Sequence, residues 1–247
     1  MCYKGWKNHG ELDDAMKLAL VRRLGFLLPF KGGKEQDKWV IFDVLPLRRG
    51  GYFVDLAAAD GVNTSNTYAL EKAFGWTGIC IEPNPGFLTR LRRRRDCIIE
   101  DAVVSDRIED VRFRIDNRSL GGIVADDTDN NSRLRGDQIE PATVIERKSD
   151  TLISILERHA APEVIDYLSL DVEGCEECVI RSLDFDRYTF RCMTIERPTP
   201  TVNEILLANA YIFVKNRDFD SFYVHRSVLE TRDMACEPFE QIPPKNR

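Results

Sequence analysis

The segment Gly51-Tyr-Phe-Val-Asp-Leu-Ala-Ala-Ala-Asp-Gly61 limits the possible folds of this chain more than any other. An apolar run ends in an acid, small residues follow, and Asp60-Gly61 closes a turn from which a helix is expected to open at once. The next apolar run ends in Ile81-Glu82, a second acid at a strand tip. Small residues let the backbone approach a ligand closely, and an acid on the following strand can hold a ribose diol. Together they point to a strand-turn-helix nucleoside site in an α/β sheet.

The rest of the chain supports that reading. Apolar runs lie at 52–56, 79–81, 97–99, 165–170, 192–195, 211–214 and 222–224, with helical patterns at 64–74, 86–95, 150–159 and 175–182. Such alternation predicts a parallel, doubly wound sheet. Gly75 is a helix stop, and Thr201-Val-Asn-Glu204 reads as a capping box. Only Lys215-Asn-Arg-Asp-Phe-Asp-Ser221 separates the last two runs, which predicts a C-terminal antiparallel hairpin. The fold class is therefore α/β, Rossmann-like, with a seven-stranded sheet.

Residues 1–50 read as an N-terminal helical extension or cap, and 51–247 as the main domain. Leu12, Ala15, Met16, Ala19, Leu20, Leu24, Leu27 and Leu28 recur at helical spacing over 11–28, ended by Pro29 and Gly32-Gly33. The segment Trp39-Val-Ile-Phe-Asp-Val-Leu is expected on the edge of the first strand. Residues 116–142 are irregular and acidic: either a surface loop or a lid over the substrate, with Ser119-Leu-Gly-Gly122 as its hinge.

Ala57-Ala-Ala-Asp-Gly61 lacks the second and third glycines of G-x-G-x-x-G, which a dinucleotide pyrophosphate needs for close backbone contact. S-adenosylmethionine has no phosphate and tolerates that departure. On this reading Asp55 lies near the methionine end, beside the turn through Ala57, Asp60 and Gly61. Glu82, followed by the rigid Pro83-Asn84-Pro85, holds the ribose. Asp101 and Ala102, after the third strand, meet the adenine. In Leu168-Ser-Leu-Asp-Val-Glu-Gly174, Asp171 ends a buried strand and points at the transfer site. Asp171 and Glu173 can orient a nucleophile, act as base or bind a divalent ion. Glu196 ends the next strand on the same rim, and His225 is a candidate general base or a structural hydrogen-bonder. Candidate catalytic residues are thus Asp171, His225, Glu173 and Glu196; no metal ligand is assigned. Glu176 and Glu177 read as helix-start stabilisers, Cys175-Glu-Glu-Cys178 as an ordinary helix segment without zinc, and Arg90-Leu-Arg-Arg-Arg-Arg95 as a solvated helix face.

Together these blocks resemble the FkbM-type methyltransferases. The resemblance rests on Tyr52-Phe-Val-Asp-Leu-Ala-Ala-Ala-Asp-Gly61, Ser65-Asn-Thr-Tyr-Ala-Leu-Glu-Lys72, Gly75-Trp-Thr-Gly-Ile-Cys-Ile-Glu-Pro-Asn-Pro85, Ile165-Asp-Tyr-Leu-Ser-Leu-Asp-Val-Glu-Gly174, Asp184-Phe-Asp and Phe222-Tyr-Val-His-Arg-Ser227. Gln36-Asp37 is similar to a short signature upstream, so the likeness covers roughly residues 34–228. It implies a class I methyltransferase fold, S-adenosylmethionine as donor with S-adenosylhomocysteine as product, and O-methylation of a sugar or natural-product hydroxyl. By position, Asp55, Gly61, Glu82, Asp101 and Asp171 would be cofactor-site or catalytic residues, and Ser65 and Asn66 would sit beside the cofactor. Here Ala57 stands where the family pattern has glycine, and Ala59 where it has asparagine.

Composition narrows the partners. A net charge of −6 disfavours a general nucleic-acid binder, though methylation of a nucleotide or RNA hydroxyl stays open. No apolar run approaches the ~20 residues of a membrane span, so no membrane partner is expected. Seven cysteines at irregular spacing and no N-terminal apolar segment suit a cytoplasmic protein. The expected partner is a small-molecule acceptor. The rivals are a degenerate fold that only binds a partner, and an NAD-dependent oxidoreductase, which the missing glycines and the hairpin disfavour.

Overall fold

The computed structural model describes residues 14–115, 121–126, 128–130 and 143–243. Leu12, residues 119–120 of the expected hinge and most of the 116–142 loop lie outside them.

The apolar runs become strands β1 (Tyr52–Leu56), β2 (Thr77–Ile81), β3 (Ile98–Glu100), β7 (Val164–Leu170), β8 (Thr189–Glu196), β9 (Tyr211–Arg217) and β10 (Asp220–His225). They form one seven-stranded sheet in the order β3-β2-β1-β7-β8-β10-β9. Neighbours from β3 to β8 are parallel, whereas β10 runs antiparallel to both β8 and β9. This is the α/β class expected, with its terminal hairpin.

Alternation along each strand builds two cores, as the period-2 pleat requires. Val54, Leu168, Met193 and Tyr223 face α5 (Leu152–Arg158), α6 (Glu176–Arg181) and α7 (Pro200–Ala208). Phe53, Tyr167, Cys192 and Phe222 face α2 (Gln36–Trp39), α3 (Tyr68–Phe74), α4 (Pro85–Arg94) and α8 (Arg226–Leu229). Gly75 ends α3 in the left-handed region (φ 67°), its N–H returning to the Glu71 carbonyl.

Four local expectations are corrected. The helix after Gly61 opens at Tyr68, because residues 57–64 take three left-handed steps at Ala57, Ala59 and Thr64, with Gly61 left-handed as well. The cap of α7 is Thr199, whose Oγ1 accepts from the Val202 N–H at 3.2 Å, with Pro200 in the first turn. Residues 39–45 do not lie on a strand edge. Val40–Val44 form a wide π turn continuing α2, and Trp39, Val40, Ile41 and Val44 pack onto the sheet face beside Phe53 and Phe222. A second sheet, β4 (Val103–Ser105), β6 (Val144–Thr151) and β5 (Asp110–Arg114), was not expected at all. Strands β5 and β6 are rich in charged residues and β4 is only three residues long, so no apolar run announces the sheet.

In the extension, α1 (Asp14–Arg23) is helical as expected and a 3₁₀ turn (Gly25–Leu27) follows. Its apolar residues are not buried: Met16, Leu20, Leu24, Phe26 and Leu27 are all exposed. No helix among the described residues is long and apolar enough to cross a membrane.

Candidate functional site

The carboxyl ends of β1, β2, β7 and β8 meet along one edge of the sheet, where open α/β folds bind ligands. Two cavities lie there. The larger, about 550 Å³, is walled by apolar side chains that include Leu56, Ile81, Phe87, Ala102, Val104 and Phe113, with Glu82, Pro83 and Asn84 along it. The smaller, about 480 Å³, is lined by Asp55, Asn63, Ser65, Asn66, Ser169 and Asp171. Leu56, Ala57 and Ala59 border both, so the cavities are two ends of one cleft bent over the turn after β1. Gly121 and Ile123 close the larger end, so the described part of the 116–142 loop forms a wall of the cleft.

Glu82 is 4% exposed. Its Oε2 accepts from the Ala59 N–H and its Oε1 from the Asn84 N–H, both at 2.7 Å. These bonds stitch the turn after β1 to the tip of β2. Burial nonetheless pushes its pKa up to about 7, against the pull of the two N–H donors.

Asp55 is buried and accepts from Thr67 Oγ1 at 2.6 Å. Burial raises its pKa, opposed by that bond and by the nearby Arg95 guanidinium. Arg95 was read as part of a solvated basic face; its side chain is fully buried. It bonds Glu71 Oε2 (3.0 Å), the Gly61 carbonyl (3.2 Å), Ser65 Oγ (3.3 Å) and Thr67 Oγ1 (3.0 Å). The available signal was periodic: Leu88, Leu91 and Arg95 share one face of α4, and the first two are core residues. The rest of the basic run, Arg90 and Arg92–Arg94, is exposed as expected. Gly61 explains itself here: at φ 76°, a Cβ would lie 2.5 Å from Leu91 and 2.8 Å from Arg95. It packs the turn onto α4.

Several other candidates have local duties. Asp60 lines neither cavity; it caps the Val62 and Asn63 N–H groups and pairs with Arg94 at 2.6 Å. Ser65 Oγ accepts from the Tyr68 N–H and so opens α3. Asn66 Nδ2 donates to Ser169 Oγ at 3.0 Å, fixing it across the smaller cavity, while its Oδ1 has no partner. Asp101 is turned to Arg147, which also donates to the Pro83 carbonyl at 2.7 Å. Ala102, not Asp101, lines the larger cavity.

The acids of β7 and β8 form a different kind of group. One carboxylate oxygen each from Asp171, Glu173 and Glu196 lies within 4.8 Å of the other two. Asp171 Oδ1 is buried without a hydrogen-bond partner, and burial together with Glu196 and Glu173 holds its carboxyl well above the usual range. Carboxylates so placed repel one another, which favours the protonated form of Asp171, or together they can take a divalent cation. Glu196 also meets Arg197 at 2.5 Å. Glu176 receives the Val172 and Gly174 N–H groups and shapes the loop that carries Glu173; burial lifts it to about 8. Glu177 pairs with Arg181 within α6 at 2.7 Å. Cys175 and Cys178 are free thiols, and no cysteine joins a metal-capable cluster among the described residues.

His225 is the clear correction. Because β10 runs antiparallel to β8, its first residue, Asp220, pairs with Glu196 at the cleft, and His225 lies at the opposite end. His225 Nδ1 caps the Ser227 N–H at 3.3 Å, and its ring packs on Tyr211. It cannot act as base beside Asp171. The residue that strand reversal brings to the rim, Asp220, was overlooked. It is buried, accepts from Gln36 Nε2 at 2.9 Å, and its pKa rises to about 6 through burial and the neighbouring Glu196.

No curated protein matches the chain. Among solved structures, it is similar to a methyltransferase FkbM from Methylobacillus flagellatus KT, with 13% identity and a TM-score of 0.44 over 71% of this chain and 44% of that one. The chain thus spans less than half the length of that protein. It is also similar to a precorrin-6y C5,15-methyltransferase from Geobacter metallireducens GS-15, with 10% identity and a TM-score of 0.41 over 76% and 86% of the two chains. A third likeness is Aeropyrum pernix fibrillarin, crystallised with natively bound S-adenosyl-L-methionine, with 13% identity and a TM-score of 0.40 over 79% and 74%. The methyltransferase FkbM domain matches residues 55–221, more than half of the sequence and the whole of the cleft from Asp55 to Glu196, and the chain belongs to that family.

Proposed function

We propose that this chain is an S-adenosylmethionine-dependent methyltransferase that acts on a hydroxyl of a small acceptor, such as a sugar or natural product. The observation that carries the reading is the bent cleft: an apolar end with a pinned acid, joined to a polar end that borders the clustered carboxyls. The residues fit the cofactor. The apolar walls suit adenine, Glu82 stands at the β2 tip to hold a ribose diol, and Asp55, Asn66 and Ser169 offer polar partners to an amino-acid tail. Nothing in the cleft needs to cradle a phosphate.

When bound, the cofactor supplies an electrophilic methyl group on a sulfonium. The protein's own work is then alignment and proton removal. Asp171, in its ionised form, takes the acceptor's hydroxyl proton as the acceptor oxygen gains the methyl group, and the neighbouring Glu196 and Glu173 favour the neutral carboxyl that results. Gly121 and Ile123 help keep water from the apolar end.

Titration calorimetry with S-adenosylmethionine, followed by transfer of its labelled methyl group to a panel of hydroxylated acceptors, tests the proposal. Binding is expected, and Glu82→Ala should weaken it by about tenfold or more, because charge-assisted hydrogen bonds are lost. Absence of binding to the native chain would sink the enzyme reading. Binding without transfer to any acceptor would favour a second reading, a cofactor-binding relative that does not turn over. Ala57 and Ala59 lend that reading some weight, since both hold left-handed backbone without the glycine or asparagine of the family pattern.

A further inference from the structure

Of the ten large hydrophobic side chains exposed among the described residues, five fall within residues 16–27: Met16 (54%), Leu20 (45%), Leu24 (41%), Phe26 (80%) and Leu27 (68%). Met16, Leu20 and Leu24 follow one another at i, i+4 and i+8, so they form a single line along α1. The opposite side of the helix is held to the body. Arg22 donates to the Phe42 carbonyl at 2.8 Å, pairs with Asp43 at 2.5 Å, and lies over the Phe42 ring. The apolar line is therefore turned outward by its anchor, and the 3₁₀ turn adds Phe26 and Leu27 at its end.

Charge is segregated onto the same stretch. Residues 15–34 carry five basic side chains (Lys17, Arg22, Arg23, Lys31 and Lys34) and no acidic one, in a chain whose net charge is −6. Arg22 and Lys34 are engaged by Asp43 and Asp218. Arg23 and Lys31 are exposed and have no ion-pair partner among the described residues. An apolar line bordered by cations is complementary to an anionic surface with an apolar layer beneath it, which describes a lipid bilayer rich in acidic headgroups.

We infer that α1 and the Phe26-Leu27 turn form a peripheral docking surface for anionic membranes. The outward apolar side chains enter the headgroup boundary while Arg23 and Lys31 meet the lipid phosphates and carboxylates. The attachment is interfacial and needs no spanning helix, of which there is none among the described residues; the expectation of no membrane partner rested on spanning segments alone. It is also placed to matter. Residues 28–34 lead from this surface to the cleft, where Gly33 lies beside Thr64, a residue of the smaller cavity. The inference does not depend on the methyl-transfer reading.

Flotation of the full chain with vesicles tests it. Vesicles of phosphatidylcholine with phosphatidylserine should carry the protein, pure phosphatidylcholine should not, and high salt should release it. Replacing Phe26 and Leu27 together by serine, or Arg23→Glu alone, should each lower the bound fraction by about tenfold. Their thermal midpoints should stay unchanged, because all three side chains are exposed. Equal binding to both vesicle types, or undiminished binding of the Phe26→Ser, Leu27→Ser variant, would overturn the inference. So would a native dimer that this variant dissociates in light scattering without any vesicle binding, since the surface would then be covered by a second copy. Binding of an acidic helical peptide in the absence of vesicle binding would overturn it as well.

Discussion

The two halves of the cleft are built from the same residue type, an acid just past an apolar strand, yet they are wired in opposite ways. On the β1–β2 side each carboxylate has its own donors: Glu82 has two backbone N–H groups, and Asp55 has Thr67 with Arg95 close behind. On the β7–β8 side the carboxyls of Asp171, Glu173 and Glu196 face one another, with Asp220 next to them. Dedicated donors fix an acid in place and suit it to holding a ligand. Mutual repulsion in a buried site raises the proton affinity of Asp171, which suits it to accepting a proton. The sequence treats the four strand-end acids alike; under the proposed function, their neighbours divide them into a holding pair and a proton-handling group.

The largest expected effect breaks the proton-handling side. Asp171→Asn keeps size and shape but removes the titrating oxygen. Turnover with any accepted substrate should fall by about 10²–10⁴-fold, while cofactor affinity by calorimetry changes little. Equal loss of affinity and turnover would mean that the two sides are not separable.

The matching change on the holding side is Arg95→Leu. It removes the buried cation beside Asp55 and leaves Glu71 with only Lys72 and the Asp96 N–H, and should cost about 3 kcal/mol in chemical denaturation. A loss below about 1 kcal/mol would show that the buried network under the turn after β1 is not what holds it.

The pH dependence sharpens the comparison. The pKa values of Glu82 and Glu176 are raised, to about 7 and about 8. A raised acid favours the folded state in its protonated form, so its contribution is full below about 4.5 and is lost as pH rises through the folded value. Stability of the ligand-free protein should therefore decline from pH 5 to pH 8. The part due to Glu82 is about 3 kcal/mol for a shift of this size. Denaturation curves of Glu82→Gln should show a flatter decline; an unchanged slope would remove Glu82 as its source.

The smallest effect concerns the turn shared by both halves. Ala57 and Ala59 sit at φ 59° and 48°. A Cβ there costs about 1 kcal/mol or slightly more. Ala57→Gly should raise stability by up to about 1 kcal/mol, the strain relieved being partly offset by glycine's freedom in the unfolded chain. A destabilised variant would show that the Ala57 methyl makes a contact worth more than the strain.

Much of the cleft was readable beforehand, and the failures share a cause. Asp55, Glu82 and Asp171 were found because an apolar run ending in an acid marks the carboxyl end of a parallel strand. The same rule misled at His225, because in an antiparallel strand the rim residue is the first, Asp220, not the last. Arg95 was hidden in a run of arginines, where composition suggests solvent and only the Leu88-Leu91-Arg95 spacing pointed inward. The second sheet escaped because β5 and β6 are too charged to give a hydrophobic signal.

By itself, then, the amino-acid order determined the α/β class, the terminal hairpin and the acids at the ends of β1, β2 and β7, because strand burial imposes a local pattern that can be read without a partner. Which acid is pinned, which faces other carboxyls, and which residue of β10 reaches the rim were decided only when distant strands met. Those properties depend on the distance and direction between groups far apart in sequence, and local patterning carries no record of either. The outward apolar line on α1 belongs to the same class: its period is plain in the sequence, but only the Arg22 anchor on Phe42 and Asp43 determines that it faces away from the core.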